Sequence, residues 1–379
     1  MPGPLAGIRV VQIASLAPAP FGCMVLADLG AEVIRVERAG GGDALAVPSG
    51  YFDRGQRSIA VDLKSSEGVE VVLRLIEDAD VLVEGFRPGV MERLGLGPEE
   101  CWLRNRPLVY GRLTGFGQDG PLADAAGHDI NYISVAGALE PMGRAGERPY
   151  APLNVIADFA GGGFLLAIGV LAALHEVGRS GRGQVVDTAM VDGAALLTTF
   201  FHGMESAGLW TRERGTNFFD GGAAFYDTYE CADGGFMAVG AVEPQFYALL
   251  LDRLGLAEAE LPHPFDTDRA DELRDAFAAV FRTRTRAEWT EVFDGADACV
   301  TPVLSPWEAH EHPHNAARGT FVEVAGRRQP APAPRFSRTP AGTPGAPPVR
   351  IGADTEVLLK GAGYDDDAIA RLRTSGAVG

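Results

Sequence analysis

Cysteines are few in this chain, a basic surplus and a glycine fingerprint are missing, and so is an unbroken apolar run. Each gap narrows what the protein can be. The four cysteines among 379 residues, Cys23, Cys101, Cys231 and Cys299, stand far apart with no paired spacing. They outline neither a disulfide framework nor a zinc-ligand pattern, which points to a reducing, cytoplasmic compartment. Lysine and arginine number 33 against 51 acidic residues, a formal net charge of −18. Without a basic stripe to neutralise phosphates, nucleic acid and anionic membrane surfaces are excluded as expected partners. The opening MPGPLAGIRVVQIA has no basic start, long apolar run and small-residue cleavage site, so no secretory signal is expected. The most apolar stretch, FAGGGFLLAIGVLAALHE, is interrupted by three glycines and accompanied by Asp158 and His175. It is read as too broken to span a membrane.

What is present is a repeating alternation of strands and helices. GIRVVQIA reads as a buried strand, PFGCMVLADLG as a helix closed by Gly30, and AEVIRVER as a second strand. The rhythm continues with a helix in SEGVEVVLRLIEDA, a strand in DVLVEGF, a helix in GPEECWLRN and a strand in PLVYGRLTGFG. Such alternation predicts a mostly parallel sheet covered on both faces, a Rossmann-like α/β domain. Glu37 closes the second strand where dinucleotide-binding folds place a ribose-binding acid. The first turn, however, is ASLAPAPFG, with Ala and Pro where glycines would let the backbone approach a pyrophosphate. That rejects a nicotinamide cofactor.

Residues 155–177 read as one long helix entered through Asp158 and the triple glycine, and GQVVDTAMVDGAALL as a strand leading into a helix. The glycine-rich 193–225 segment lacks periodicity and reads as a crossing arm. A hairpin around Asp233–Gly234, a helix starting near Glu243, and helices in ADELRDAFAAVF and RAEWTEVFDGA make a smaller α+β region. The division expected is a large domain over 1–192 completed by 326–379, an arm over 193–225, a small domain over 226–312 and a return linker over 313–325. The Pro-rich RRQPAPAPRFSRTPAGTPGAPP reads as an extended connector, followed by two terminal helices that dock on the large domain.

Individual chemical signals are modest. His128 and Asp129 stand side by side in AGHDINYIS, a pairing that by itself fits a locally satisfied histidine at least as well as a base. His310, His312 and His314 cluster in HEHPH, but with no partner carboxylate pattern and with Pro313 stiffening the loop they read as surface residues, not a metal site. Asp187 and Asp192 read as turn and capping residues, Cys231 and Cys299 as small core residues.

Taken in order, the segments GIRVVQIASLAPAPFGCMVLADLGAEVIRVER, GFRPGVMERLGLGPEE, GRLTGFGQDGP, GHDINYIS, GQVVDTAMVDG, DACVTPVL and PAPRFSRTP span nearly the whole chain. Together they resemble the class III CoA-transferase superfamily, and within it the α-methylacyl-CoA racemase branch. The resemblance implies an isomerase of lipid metabolism acting on acyl-CoA thioesters, in an interlocked homodimer whose site joins one subunit's large domain to the other's small domain. No cofactor is implied beyond the coenzyme A of the substrate. Carried over position by position, it implies His128 and Asp158 as catalytic bases, with Glu243 supporting Asp158. It also implies coenzyme A contacts at Arg38, at Val61, Asp62, Leu63 and Lys64, at Gly85, Phe86 and Arg87, at Arg93, and around Gly127, Asp129, Ile130, Asn131 and Tyr132.

The chemistry asks for those residue types. Inverting the carbon beside a thioester removes its proton on one face and returns one on the other, so two opposed bases suit the task. The enolate between them needs donors where its oxygen charge develops; the helix-start amide of Asp158 is the expected donor, and Asp158 and Glu243 are expected to share a proton. The runner-up is a CoA-transferase in which Asp158 forms an acyl anhydride. Two departures stand out. Where the resembled racemases carry a methionine-rich acyl surface, LLTTFFHGMESAGLW offers Phe200, Phe201, Met204 and Trp210, and aromatics, stiffer than methionine, suit a compact or arylpropionyl acyl chain. The superfamily's NRG reads DRG at Asp53–Gly55, which adds a negative charge near the expected coenzyme A path.

Overall fold

The computed structural model describes residues 3–39 and 51–379. The chain divides into two compact units, residues 1–136, 153–197 and 317–379 forming the first and residues 137–152 and 198–316 the second.

The first unit is built on a six-stranded sheet. Its strands are β1 (Arg9–Ile13), β2 (Glu32–Arg38), β3 (Arg57–Val61), β4 (Val81–Glu84), β5 (Val109–Thr114) and β6 (Val185–Ala189), in spatial order 3-2-1-4-5-6. All neighbouring pairs are parallel. The order reverses between β1 and β4, and in open α/β sheets that crevice at the carboxyl ends is where ligands bind. Helices α1 (Pro18–Asp28), α2 (Ser66–Glu77), α3 (Val90–Arg93), α4 (Pro98–Arg104) and α5 (Asp129–Val135) follow in chain order. Then come a π-helix (Val155–Phe164), α6 (Leu165–Ser180) and α7 (Met190–Leu197).

Near-continuous apolar runs in β1, β4 and β5 bury both faces of the sheet, which explains why those strands read clearly in the sequence. Val11, Ile13, Ile34 and Leu82 pack with Val72, Leu75 and Ile76 of α2 on one face. Val10, Val33, Val81 and Val83 pack with Leu26 of α1 and Val170 of α6 on the other. Each such fully buried side chain contributes about 1.5–3 kcal/mol.

The long helix expected over 155–177 runs from Val155 to Ser180, but its first ten residues are π-helical. The three glycines do not break it; they let backbones meet. A Cβ on Gly161 would sit 2.8 Å from Ala194 N, one on Gly163 2.7 Å from Pro18 O, and one on Gly193 1.9 Å from Gly161 O. The run is therefore long and apolar enough, by length and composition alone, to cross a membrane, which corrects the reading of it as interrupted. In this fold Leu166, Ala167, Val170 and Ala173 bury it against the sheet. Gly193→Ala is expected to lower the thermal midpoint by several degrees, costing about 1–3 kcal/mol through overpacking. Gly178→Ala, in open space on α6, is expected to raise it, adding up to about 1 kcal/mol of stability through helix propensity. Calorimetric unfolding of the two variants with opposite signs checks the crossing; equal shifts would refute it.

The second unit begins with α8 (Thr199–Ser206), a helix inside the segment read as an irregular arm. It continues with an antiparallel sheet of β7 (Tyr226–Glu230), β8 (Phe236–Gly240) and β9 (Val300–Pro302), and with α9 (Pro244–Leu254), α10 (Ala270–Phe281) and α11 (Arg286–Phe293). Tyr229, Met237, Phe277, Phe281, Trp289 and Phe293 form its core. The aromatics of the arm, Phe200, Phe201, Trp210, Phe218 and Phe219, run ring to ring. Cys231 is buried, whereas Cys299 is exposed and holds a positive φ of 52°, so it is not the core residue expected.

The short helix α12 (Pro313–Arg318) leads back to the first unit, where β10 (Phe321–Val324) and β11 (Arg327–Pro330) pair in the region read as pure connector. Helices α13 (Thr355–Gly361) and α14 (Asp366–Thr374) pack Leu358, Leu359, Ile369 and Leu372 onto the sheet. They cover the edge of β3, whose Ser58 and Ala60 amides donate to the Asp354 carboxylate (2.9 Å) and the Thr355 hydroxyl (3.2 Å).

Candidate active site

Most of the residues expected to hold coenzyme A lie at or just beyond the carboxyl ends of the parallel strands, while Gly127, Asp129, Ile130, Asn131 and Tyr132 lie at the start of α5. Arg38 ends β2, Val61 ends β3 with Asp62, Leu63 and Lys64 following, Gly85, Phe86 and Arg87 follow β4, and Arg93 ends α3. Arg38, Lys64, Arg87 and Arg93 are exposed, and among the described residues none of the four is in an ion pair. Phe86 differs in kind, since its ring packs against the sheet core.

Under this edge lies a network of side chains that the sequence reading passed over. Glu84, the last residue of β4, is 3% exposed and accepts the Phe86 amide at 2.7 Å. Burial pushes its carboxyl up to about 7 despite the Arg112 guanidinium 3.4 Å away. Arg112 of β5 also bonds Gln118 at 2.9 Å and Glu92 of α3. One buried arginine thus ties the turn that carries Arg87 to the helix that carries Arg93. Asp187, read as a turn residue, lies within β6 and accepts the Gln118 amide at 3.3 Å; burial raises its carboxyl. A charge at the end of the apolar run VLVE was the one sequence signal for Glu84.

Asp53 of DRG does not offer a free charge to a coenzyme. It is 4% exposed and pairs with Arg35 at 3.4 Å. The neighbouring Arg54 is buried as well, bonded to Asp28, to Gln329 (3.0 Å) and to the Pro330 carbonyl (2.9 Å). Arg54 thereby clasps the end of α1 to the β10–β11 hairpin.

His128 and Asp158 come together in the first unit. His128 precedes α5 and is exposed, while its main chain organises the helix start. The His128 N–H donates to Asn131 Oδ1 (3.1 Å), and its carbonyl accepts from the Asn131 amide (2.8 Å) and the Tyr132 amide (3.2 Å). The Tyr132 ring lies over Gly115 and Gly127, where Cβ atoms would come within 2.2 and 2.7 Å of it, and its hydroxyl donates to the Gly127 carbonyl. Glycine is required at both positions to admit that ring. Burial, with Asp158 and Asp129 nearby, pushes the Tyr132 hydroxyl up to about 12.

Asp158 sits half-buried in the first turn of the π-helix, a geometry that recurs at functional sites. Burial raises its carboxyl and the Asp129 charge adds to that. A hydrogen bond from Asn154 Nδ2 (3.0 Å) and the nearby His128 act in the opposite direction. A carboxyl raised in this way holds its proton more readily than an exposed one, which favours proton exchange with a substrate carbon. Asn154, four residues before Asp158, was also missed.

One expectation is overturned. The Asp158 amide is not open to an oxyanion: it donates to Asp129 Oδ2 at 2.8 Å, as does the Ala157 amide. Donors remain at the start of α5, where the Asp129 and Ile130 amides have no acceptor among the described residues. Glu243 belongs to the second unit, where it is exposed, N-caps α9 and lies close enough to Cys299 to add to the rise that burial and Asp297 give its thiol. Among the described residues no three His, Cys, Asp or Glu side chains are arranged to hold a metal ion.

The sequence model of CoA-transferase family III matches residues 5–355. The chain is 50% identical over 371 residues to a Mus musculus protein named alpha-methylacyl-CoA racemase, an alignment covering 98% of this chain and 96% of that one. The Homo sapiens protein of the same name is 48% identical, again over 98% of this chain and 96% of the relative. Among solved structures, a CAIB/BAIF family protein from Brucella suis matches with a TM-score of 0.82 at 26% identity, over 96% of this chain and 100% of that chain.

Proposed function

For a chain that belongs to CoA-transferase family III, we propose an isomerase activity: inversion of the α-carbon of 2-methylacyl-CoA thioesters by 1,1-proton transfer through an enolate. The observation that carries this reading is the juxtaposition of His128 with an Asp158 whose carboxyl is raised by burial, beside an α5 that packs Tyr132 on Gly115 just past β5. The high identity to proteins named as racemases supports it.

In this mechanism one group takes the α-proton while the other returns a proton to the opposite face, and their roles exchange with the direction of reaction. Enolate charge falls toward the first-turn amides of α5, Asp129 and Ile130, where the helix dipole adds to two open donors. Arg38, Lys64, Arg87 and Arg93 hold the phosphates of coenzyme A. Proton transfer alone completes the cycle, so no cofactor is assigned.

A homodimer belongs to the same proposal, with Glu243 of a second copy completing the site. Helix α8 buries none of its residues, and Phe164, Ile168, Leu196 and Phe200 are each 46–62% exposed, apolar area that a second copy would cover. A cytoplasmic location is supported by four cysteines without a disulfide.

Incubating the protein with a (2R)-2-methylacyl-CoA in deuterated water tests the reaction. The expected outcome is deuterium at C2 in both epimers with no added acceptor. Turnover only when a free carboxylic acid is supplied, without exchange at C2, would replace this reading with acyl transfer through Asp158.

A further inference from the structure

Asp129 is 3% exposed, and its side chain reaches across to an element 28 residues further along the chain. Oδ2 accepts the amides of Ala157 and Asp158, both at 2.8 Å, while Oδ1 is buried with no hydrogen-bond partner among the described residues. The same residue starts α5, directly after His128. One side chain therefore joins the helix start that presents His128 to the turn that presents Asp158. We propose that Asp129 is a positioning residue of the proton-transfer site: its carboxylate ties the start of α5, which presents His128, to the turn that presents Asp158, and so sets the separation of the two bases. This rests on His128 and Asp158 being the two bases.

Two functions follow from the two oxygens. The bonded oxygen fixes geometry, because a shift of the π-helix turn would move Asp158 and lose alignment with the carbon between the bases. The charge, held out of water and satisfied on one side only, opposes ionisation of Asp158. The groups acting on the Asp158 carboxyl are Asn154 on its own element, with His128 and Asp129 on and before α5; Tyr132 of α5 is the nearby phenol. Other elements packed against the π-helix carry Cys23 and Asp28 on α1, His175, Glu176 and Arg179 on α6, Asp187 on β6 and Asp192 on α7. None of these shifts it. Removing the Asp129 charge should therefore lower the pH at which Asp158 ionises.

The test compares Asp129→Asn with Asp129→Ala, reading deuterium exchange at C2 against pH in both directions. Asparagine keeps an oxygen for the two amides but removes the charge. For the direction in which Asp158 takes the proton, the acid limb of kcat/KM is expected to move to lower pH, with turnover reduced only a few-fold. Alanine removes both functions, and kcat is expected to fall by about two orders of magnitude. An acid limb unmoved in Asp129→Asn, or an Asp129→Ala enzyme with wild-type kcat, overturns the proposal. Asp158→Asn separates this from failure of the underlying reading: if that variant turns over normally, Asp158 is not a base, whatever Asp129 does.

Discussion

Replacing His128 with alanine is expected to abolish inversion at the α-carbon, with a loss of about 10²- to 10⁴-fold in rate, while free coenzyme A binds as before. The fold should survive, because the contacts of His128 that organise α5 come from its main chain. An exposed side chain contributes little to stability. Coenzyme A is assigned to groups at the ends of β2, β3 and β4, on α3 and at the start of α5, where Asn131 and Tyr132 bond the His128 main chain. A finer signature follows from there being two bases. With His128 removed, Asp158 still reaches one face, so one epimer should exchange its α-hydrogen slowly without inverting. Asp158→Ala should leave the opposite epimer exchanging. Chiral analysis together with NMR detection of deuterium at C2 separates these outcomes. A His128→Ala enzyme within tenfold of wild type would return the histidine to a capping role at α5.

Mixed dimers should recover what two inactive variants lack. If Glu243 is supplied by the second copy, co-expressing Asp158→Ala with Glu243→Ala chains creates one site with both groups and one with neither. Random pairing makes about half of the dimers mixed, so activity should return to about one quarter of the wild-type value. Glu243→Ala must first be inactive alone, and mixed dimers must be isolated with two affinity tags. No recovery in such isolated dimers would place Glu243 and Asp158 of one site on the same chain. The physical basis is the placement of the groups: His128 and Asp158 share the first unit, and Glu243 stands exposed at the start of α9 in the second.

The strands β1, β2, β4 and β5 were legible because parallel strands buried on both faces must be apolar almost throughout, and GIRVVQIA or DVLVEGF leave little choice. The strand β3 was not. RSIAV is short and begins with arginine, and what buries it is α13 with its flanking residues, some 295 positions away. The triple glycine announced a special helix entry, yet whether glycine breaks a helix or lets two helices meet depends on what lies opposite. Here that is Gly193 and the start of α1.

The site divides the same way. The periodicity of the sequence settled the α/β architecture, and its resemblance to the family implied the cations at strand ends and His128, Asp158 and Glu243 as candidates, since motifs are carried at fixed places along a chain. Only the tertiary structure decided that the Asp158 amide is occupied by Asp129, that Glu84 and Arg112 brace the turn and helix bearing Arg87 and Arg93, and that Asp53 is neutralised inside the fold. Each of these is a contact between elements distant in sequence. Whether a charge is free, paired or shifted in pKa is set by the groups that packing brings within a few ångströms, out of water.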